Sequence, residues 1–253
     1  MTEQAIEPQG MSEAGRVTGI FWEPRPVFEN LAQSPRFWVP LLILTAFAVV
    51  YMVTFSRVVG WETMMRQQFA SNPRMEQMTS EQREQALQMT TRIVGPMTSV
   101  MAIVAPAGMA LVVSAVLLGC FNLLGGASMK FRQAFSITCY SSLPSVLATI
   151  GALTVMLLKN PEDFSLQSPL PLNLGAFLPS TTAKWLLALA TSIDAFSIWM
   201  ILLLALGFSV AAGLQKRKMS YGQALMLVLI PWAIAVILGA GIAAIGGGAA
   251  AAG

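Results

Sequence analysis

The chain has 253 residues, of which 55% are hydrophobic and 11% charged, with a mean hydropathy of +0.66. So few charges cannot cover so much apolar surface in water, which excludes a soluble domain and makes lipid the solvent for most of the chain. A net charge of +3, from 15 Lys and Arg scattered among 12 acids, excludes a concentrated nucleic-acid-binding face and suits anionic headgroups.

Residues 1–14 read as a polar, acidic tail (Glu3, Glu7, Glu13) with no basic, cleavable leader, so the first span is expected to be an uncleaved anchor. The approach "GIFWEPRPVFENLAQSPRFWVPLLIL" then predicts a short helix started by Pro24 and Pro26, with Val27, Phe28 and Leu31 on one apolar face. Ser34 and Pro35 are expected to end it, as cap and first residue of the next helix. Trp22 and Trp38 fall where interfacial aromatics belong, so Trp22, Pro26, Phe28, Leu31, Pro35 and Trp38 are a candidate foot on the membrane surface.

Five apolar stretches reach the roughly 20 residues that a spanning helix needs: 37–55, 100–124, 134–158, 195–214 and 223–245. The fold class expected is therefore all-α, a polytopic bundle of five transmembrane helices with short interfacial amphipathic helices, over residues 15–247, before a Gly/Ala tail at 248–253. The first loop shows Trp61, Met64, Met65 and Phe69 at helical spacing, then a second helix from "TSEQ", where Thr79 and Gln82 form a capping-box pair. The third loop, 159–184, carries Pro161, Pro169, Pro171 and Pro179 among leucines and is expected to lie across the outer surface of the bundle.

Lys and Arg in the flanks divide eight against seven, but five of the seven sit in the long first loop beside Glu62, Glu76, Glu81 and Glu84. The short loops and the uncharged C-terminus favour an N-in, C-out orientation, as in a bacterial inner membrane. The run "QKRKMSYG" contributes to that orientation and offers anionic lipid a basic face.

Chemistry is sparse. The chain has no histidine, which excludes Ser-His-Asp, Cys-His and HExxH chemistry, and its two cysteines, Cys120 and Cys139, lie in apolar segments without CxxC spacing. No catalytic residue, metal ligand or cofactor site is expected. Sixteen irregularly spaced methionines read as packing rather than Cu(I) ligation. Asp194 has two readings: a mid-bilayer carboxylate in a 30-residue apolar run, serving a permease, or a helix cap at the outer boundary with 185–193 as an interfacial helix. Length favours the cap, because 195–214 spans alone.

In the third span, Tyr140, Ser141 and neighbouring hydroxyls surround Pro144. They either repair a proline kink or form a polar seam with Asn122 from the second span. Gly207 and Ala211, and Gly239, Gly241 and Ala243, offer small surfaces for close helix approach.

"GIFWEPRPVFENLAQSPRFWVPLLIL", "TSEQREQALQMTTRI", "FRQAFSITCYSSLPSVL", "LNLGAFL" and "SIDAFSIWMILLLALGFSVAAGL" resemble, in this order, the bacterial branch of the Yip (Ypt-interacting protein) membrane family. The resemblance implies five helices, a cytoplasmic N-terminus and no known catalytic activity, its eukaryotic members being linked to Rab-type GTPases and to vesicle trafficking or membrane shaping. The function expected here is that of a non-enzymatic membrane protein that organises the bilayer or holds membrane partners, the alternative being a small permease that uses Asp194 and the polar third span. "CYSSLP" looks like the counterpart of the family's Gly-Tyr-x-x-x-Pro motif, with Cys139 in place of Gly. The eukaryotic Asp-Leu-Tyr-Gly-Pro signature is absent, Phe21 to Pro26 reading "FWEPRP", which counts against carrying over GTPase binding. Expected partners are the lipid bilayer, further copies of the chain or other membrane proteins.

Overall fold

The computed structural model describes residues 11–70, 78–161, 164, 169–179, 182–214 and 219–248, apart from the side chains of 67, 70 and 245–248. In chain order the helices are α1 (Glu13–Trp22), α2 (Pro24–Gln33), α3 (Trp38–Val58), α4 (Trp61–Ala70), α5 (Ser80–Gly119), α6 (Phe131–Ser141), α7 (Pro144–Leu158), α8 (Lys184–Thr191), α9 (Ala195–Leu214) and α10 (Tyr221–Gly248). Among the described residues there is no strand, and five helical segments are long and apolar enough to cross a membrane: Trp38–Val58, Ser80–Leu124, Phe131–Leu158, Ala195–Leu214 and Tyr221–Ala244.

Several element boundaries differ from expectation for local reasons. Ser12 accepts from the Gly15 amide and starts α1 at Glu13, so the end of the expected polar tail is already helical. Ser34 closes α2 through its amide to Asn30 O, and α3 begins only at Trp38, capped by the Phe37 backbone; neither Ser34 nor Pro35 opens it. The Thr79–Gln82 capping box forms, but its helix does not stop before the second span. α5 runs unbroken for 40 residues past Pro96 and Pro106 and ends in a π-turn at Cys120–Leu124.

Pro144 does interrupt the third span, as the hydroxyl cluster suggested. Leu143 N turns to Tyr140 O at 3.1 Å, the carbonyl that a residue at 144 would otherwise bond. Ser142 Oγ donates to Thr138 O at 2.9 Å, and Ser145 Oγ to Ser142 O at 2.7 Å, so the break is tied down by its own serines.

The spans form a ring in which α9 meets α7, α7 meets α3, α3 meets α5, and α10 joins α9 closely but only brushes α5. α6 fills the interior at the end where α1 and α2 sit. On the opposite end, Gly60 at φ +80° reverses the chain into α4, whose Trp61 packs with Phe55 and lies against Gly95 of α5. Arg66 of α4 bonds Glu62 at 2.7 Å and reaches Glu84 of α5 at 3.4 Å; the bond to Glu62 foremost raises the guanidinium's pKa.

The third loop is pinned on the same end. Leu170 covers Gly151, Phe164 packs near Phe55, and Asn173 forms an antiparallel bridge with Asp194. Residues 1–10, residues 215–218 with the basic run 216–218, and the tail 249–253 lie outside the described residues.

Candidate functional site

The apolar face of α2 is turned into the bundle. Val27, Phe28 and Leu31 are wholly buried, in one core with Ile137 and Tyr140 of α6 and Leu204 and Phe208 of α9. Gly207 makes the seat: a Cβ there would stand 2.8 Å from the Phe28 ring and 2.5 Å from Ile137 Cγ2, so only hydrogen lets α2 come this close to α9. Burying a face of this size stabilises by about 1.5–3 kcal/mol per large side chain, more than a shallow interfacial contact returns. Gln133 of α6 completes the seat by donating to Ala32 O at 2.6 Å, satisfying a carbonyl at the α2 C-terminus.

Of the six foot residues, then, Phe28 and Leu31 belong to the bundle, and Pro35 is half-buried in the connection. Pro26 is exposed, and Trp22 and Trp38 remain 84% and 63% exposed at the rim of the docked hairpin. Arg25 and Arg36 stand exposed beside them.

A polar cluster locks α1 onto the same end. Tyr140 Oη donates to Glu13 Oε2 at 2.7 Å, while Arg16 donates to Glu13 Oε1 at 2.9 Å and Arg36 reaches that oxygen at 3.5 Å. Arg16 is only 2% exposed, so its charge depends on Glu13. Arg16 Nε and Ser141 Oγ are buried without a hydrogen-bond partner among the described residues. One carboxylate thus joins three segments, α1, the α2–α3 connection and α6. This gathers the third-span tyrosine with Glu13, which the polar-tail reading leaves outside the bundle; a Glu-x-x-Arg pair at a Ser-capped helix start is the available signal.

The remaining intramembrane candidates do not meet Tyr140. Asn122 clasps its own loop, donating to Met129 O and accepting from Met129 N, both at 3.0 Å. Asp194 Oδ1 accepts from the amides of Phe196 at 2.9 Å and Ser197 at 3.1 Å, and Oδ2 takes the Ser197 hydroxyl. It is the N-terminal cap of α9, following the short helix α8, as its second reading had it. A shared cavity for Asp194 and Tyr140 would favour the permease alternative. Their partners lie on different elements, and neither residue lines the cleft to which all five spans contribute.

Gly239 and Gly241 have open space at the Cβ position and make no close helix approach among the described residues. Cys139 is buried and Cys120 half-buried, both as free thiols. Among the described residues no group of three His, Cys, Asp or Glu is placed to hold a metal ion.

No solved structure matches the chain. It is 24% identical over 208 residues to the membrane protein YknW of Bacillus subtilis (strain 168), a match covering 81% of this chain and 82% of that protein. The Yip1 domain model matches residues 18–243, from within α1 to near the end of the last span. With five membrane-spanning helices and a match over most of its length, the chain is an integral membrane protein that belongs to the Yip1 domain family.

Proposed function

We propose that this protein is a non-enzymatic membrane organiser, a five-span bundle that holds a fixed helical platform against the bilayer for membrane partners. The observation that carries the reading is the seating of α2 on Gly207, which converts an amphipathic segment into part of the bundle. What that platform offers outward is Trp22 and Trp38 with Arg25 and Arg36, the residue types that favour a headgroup region. The family match supports a non-enzymatic role. The loop charges support the bacterial inner membrane, with the N-terminus cytoplasmic and the C-terminus outside.

Partners under this reading are lipid, further copies of the chain or other membrane proteins. Chemical crosslinking in native membranes, followed by purification, tests it. A defined oligomer or a recurring membrane partner, lost on replacing Trp22 and Trp38 together by alanine, is the expected result. A chain recovered only as a solitary monomer at every crosslinker concentration would refute it.

A further inference from the structure

The bundle encloses a cleft of about 580 Å³ to which all five spans contribute. Leu44, Leu117, Thr138 and Val228 of its wall each stand about two turns in from the α1–α2 end of their span, about 11 Å deep and so within hydrocarbon. Among the described residues its wall carries no charged side chain. The hydroxyls of Thr138, Ser142, Ser145 and Thr149 are turned back onto carbonyls of their own segments at 2.7–2.9 Å. An occupant therefore meets an apolar surface.

The floor, including Leu117, Ile201 and Val228, is buried, whereas Met109 and Val112 on α5 and Ala235 on α10 form an exposed rim. The wall is thus continuous with the lipid-facing surface of the protein. The opening follows the one sparse contact in the ring, between α5 and α10, and Pro106 and Pro231 from these two helices both line the cleft. A partner helix would need a groove along the whole hydrocarbon thickness of about 30 Å. The lining stretches, Pro106 to Leu117 the longest with Thr138 to Thr149, reach only about 16 Å at 1.5 Å per residue.

We propose that this cleft binds one acyl chain of a bilayer phospholipid, which enters sideways between α5 and α10. Its volume lies in the about 300–1,000 Å³ range of small-ligand sites, and the bilayer presents tails at that depth. The assignment does not rest on the scaffold reading, since a tail site would exist whatever the platform holds.

The test is photo-crosslinking of the full chain in phosphatidylethanolamine–phosphatidylglycerol vesicles containing a phospholipid with a diazirine along one acyl chain. Adducts should concentrate on Met109, Val113 and Trp232 over the lipid-exposed Ile242, and fall about tenfold in Ala235→Trp, which narrows the mouth. Val112→Trp, from the α5 side of the same mouth, should act alike, and unchanged melting and monodispersity identify the variant that keeps the fold. Three outcomes would overturn the proposal: adducts equal at Val113 and Ile242, enrichment that survives a well-folded rim variant, or preferential labelling by a photoreactive cyclic hydrophobe that excess phospholipid does not displace.

Discussion

Replacing Gly207 by alanine puts one methyl group into the seat of α2. The added carbon would stand 2.5 Å from Ile137 Cγ2 and 2.8 Å from Phe28 Cδ1 and Cε1, where carbon atoms normally rest about 3.5–4.0 Å apart. Neither neighbour yields easily, since one is a methyl on a β-branched carbon and the other a ring buried on all sides. Overpacking of this kind costs about 1–3 kcal/mol, against a helix-propensity gain of about 1 kcal/mol for alanine over glycine. The net expectation is a loss of up to about 2 kcal/mol, concentrated on the docking of α2.

Phe28→Ala alone should cost about 3–5 kcal/mol, but in the double variant the missing ring relieves part of the clash. The two changes should therefore couple favourably by about 1 kcal/mol. Thermal unfolding in bilayer discs measures the total, and tryptic cleavage after Arg16 and Arg36, whose bonds run to Val17 and Phe37, reports release of the hairpin. Both cleavages should speed up in Gly207→Ala and stay unchanged in Gly239→Ala, where the added methyl meets open space. A Gly207→Ala protein with wild-type melting and cleavage, or strict additivity with Phe28→Ala, would refute the seat.

Glu13→Gln leaves the buried Arg16 charge without its carboxylate and should destabilise the N-terminal hairpin by about 3 kcal/mol, seen as faster amide exchange in α1 and α2. Tyr140→Phe removes only the bond to Glu13, about 1.5–3 kcal/mol, so its exchange rates should lie between those of wild type and Glu13→Gln; rates equal to wild type would dissociate Tyr140 from the lock. Asp194→Asn keeps a capping oxygen and should melt like wild type, whereas Asp194→Ala should lose about 1 kcal/mol, or about 2–4 °C. Equal loss in both variants would show that the charge, not the cap, matters. Gln133→Ala should cost about 1 kcal/mol through the carbonyl it leaves unbonded at Ala32, measured as fraying of the α2 C-terminus.

The spans were legible because each depends on its own composition: twenty apolar residues in lipid form a helix wherever their neighbours stand. The Thr79–Gln82 box and the Asp194 cap were legible for the same reason, each acting within three residues. The seat on Gly207 was not. A helix with an apolar face reads alike whether it meets headgroups or protein, and only the glycine opposite Phe28 decides between them. Gly207 stood out as a small residue, as did Gly239, yet one meets a ring and the other open space. The Glu13–Tyr140 bond joins residues 127 apart, beyond the reach of local pattern, and the cleft is a property of five helices together.

That separation also sets a schedule during synthesis. Glu13 must wait for the 127 residues that bring Tyr140, roughly 6–25 s at about 5–20 residues per second, and Phe28 waits longer for Gly207. Until then Val27, Phe28 and Leu31 have no bundle to enter, and the nearest apolar surface is the membrane beside the emerging first span. The exposure of this apolar face is thus a property of the growing chain, and it ends when the fourth span brings Gly207 to it.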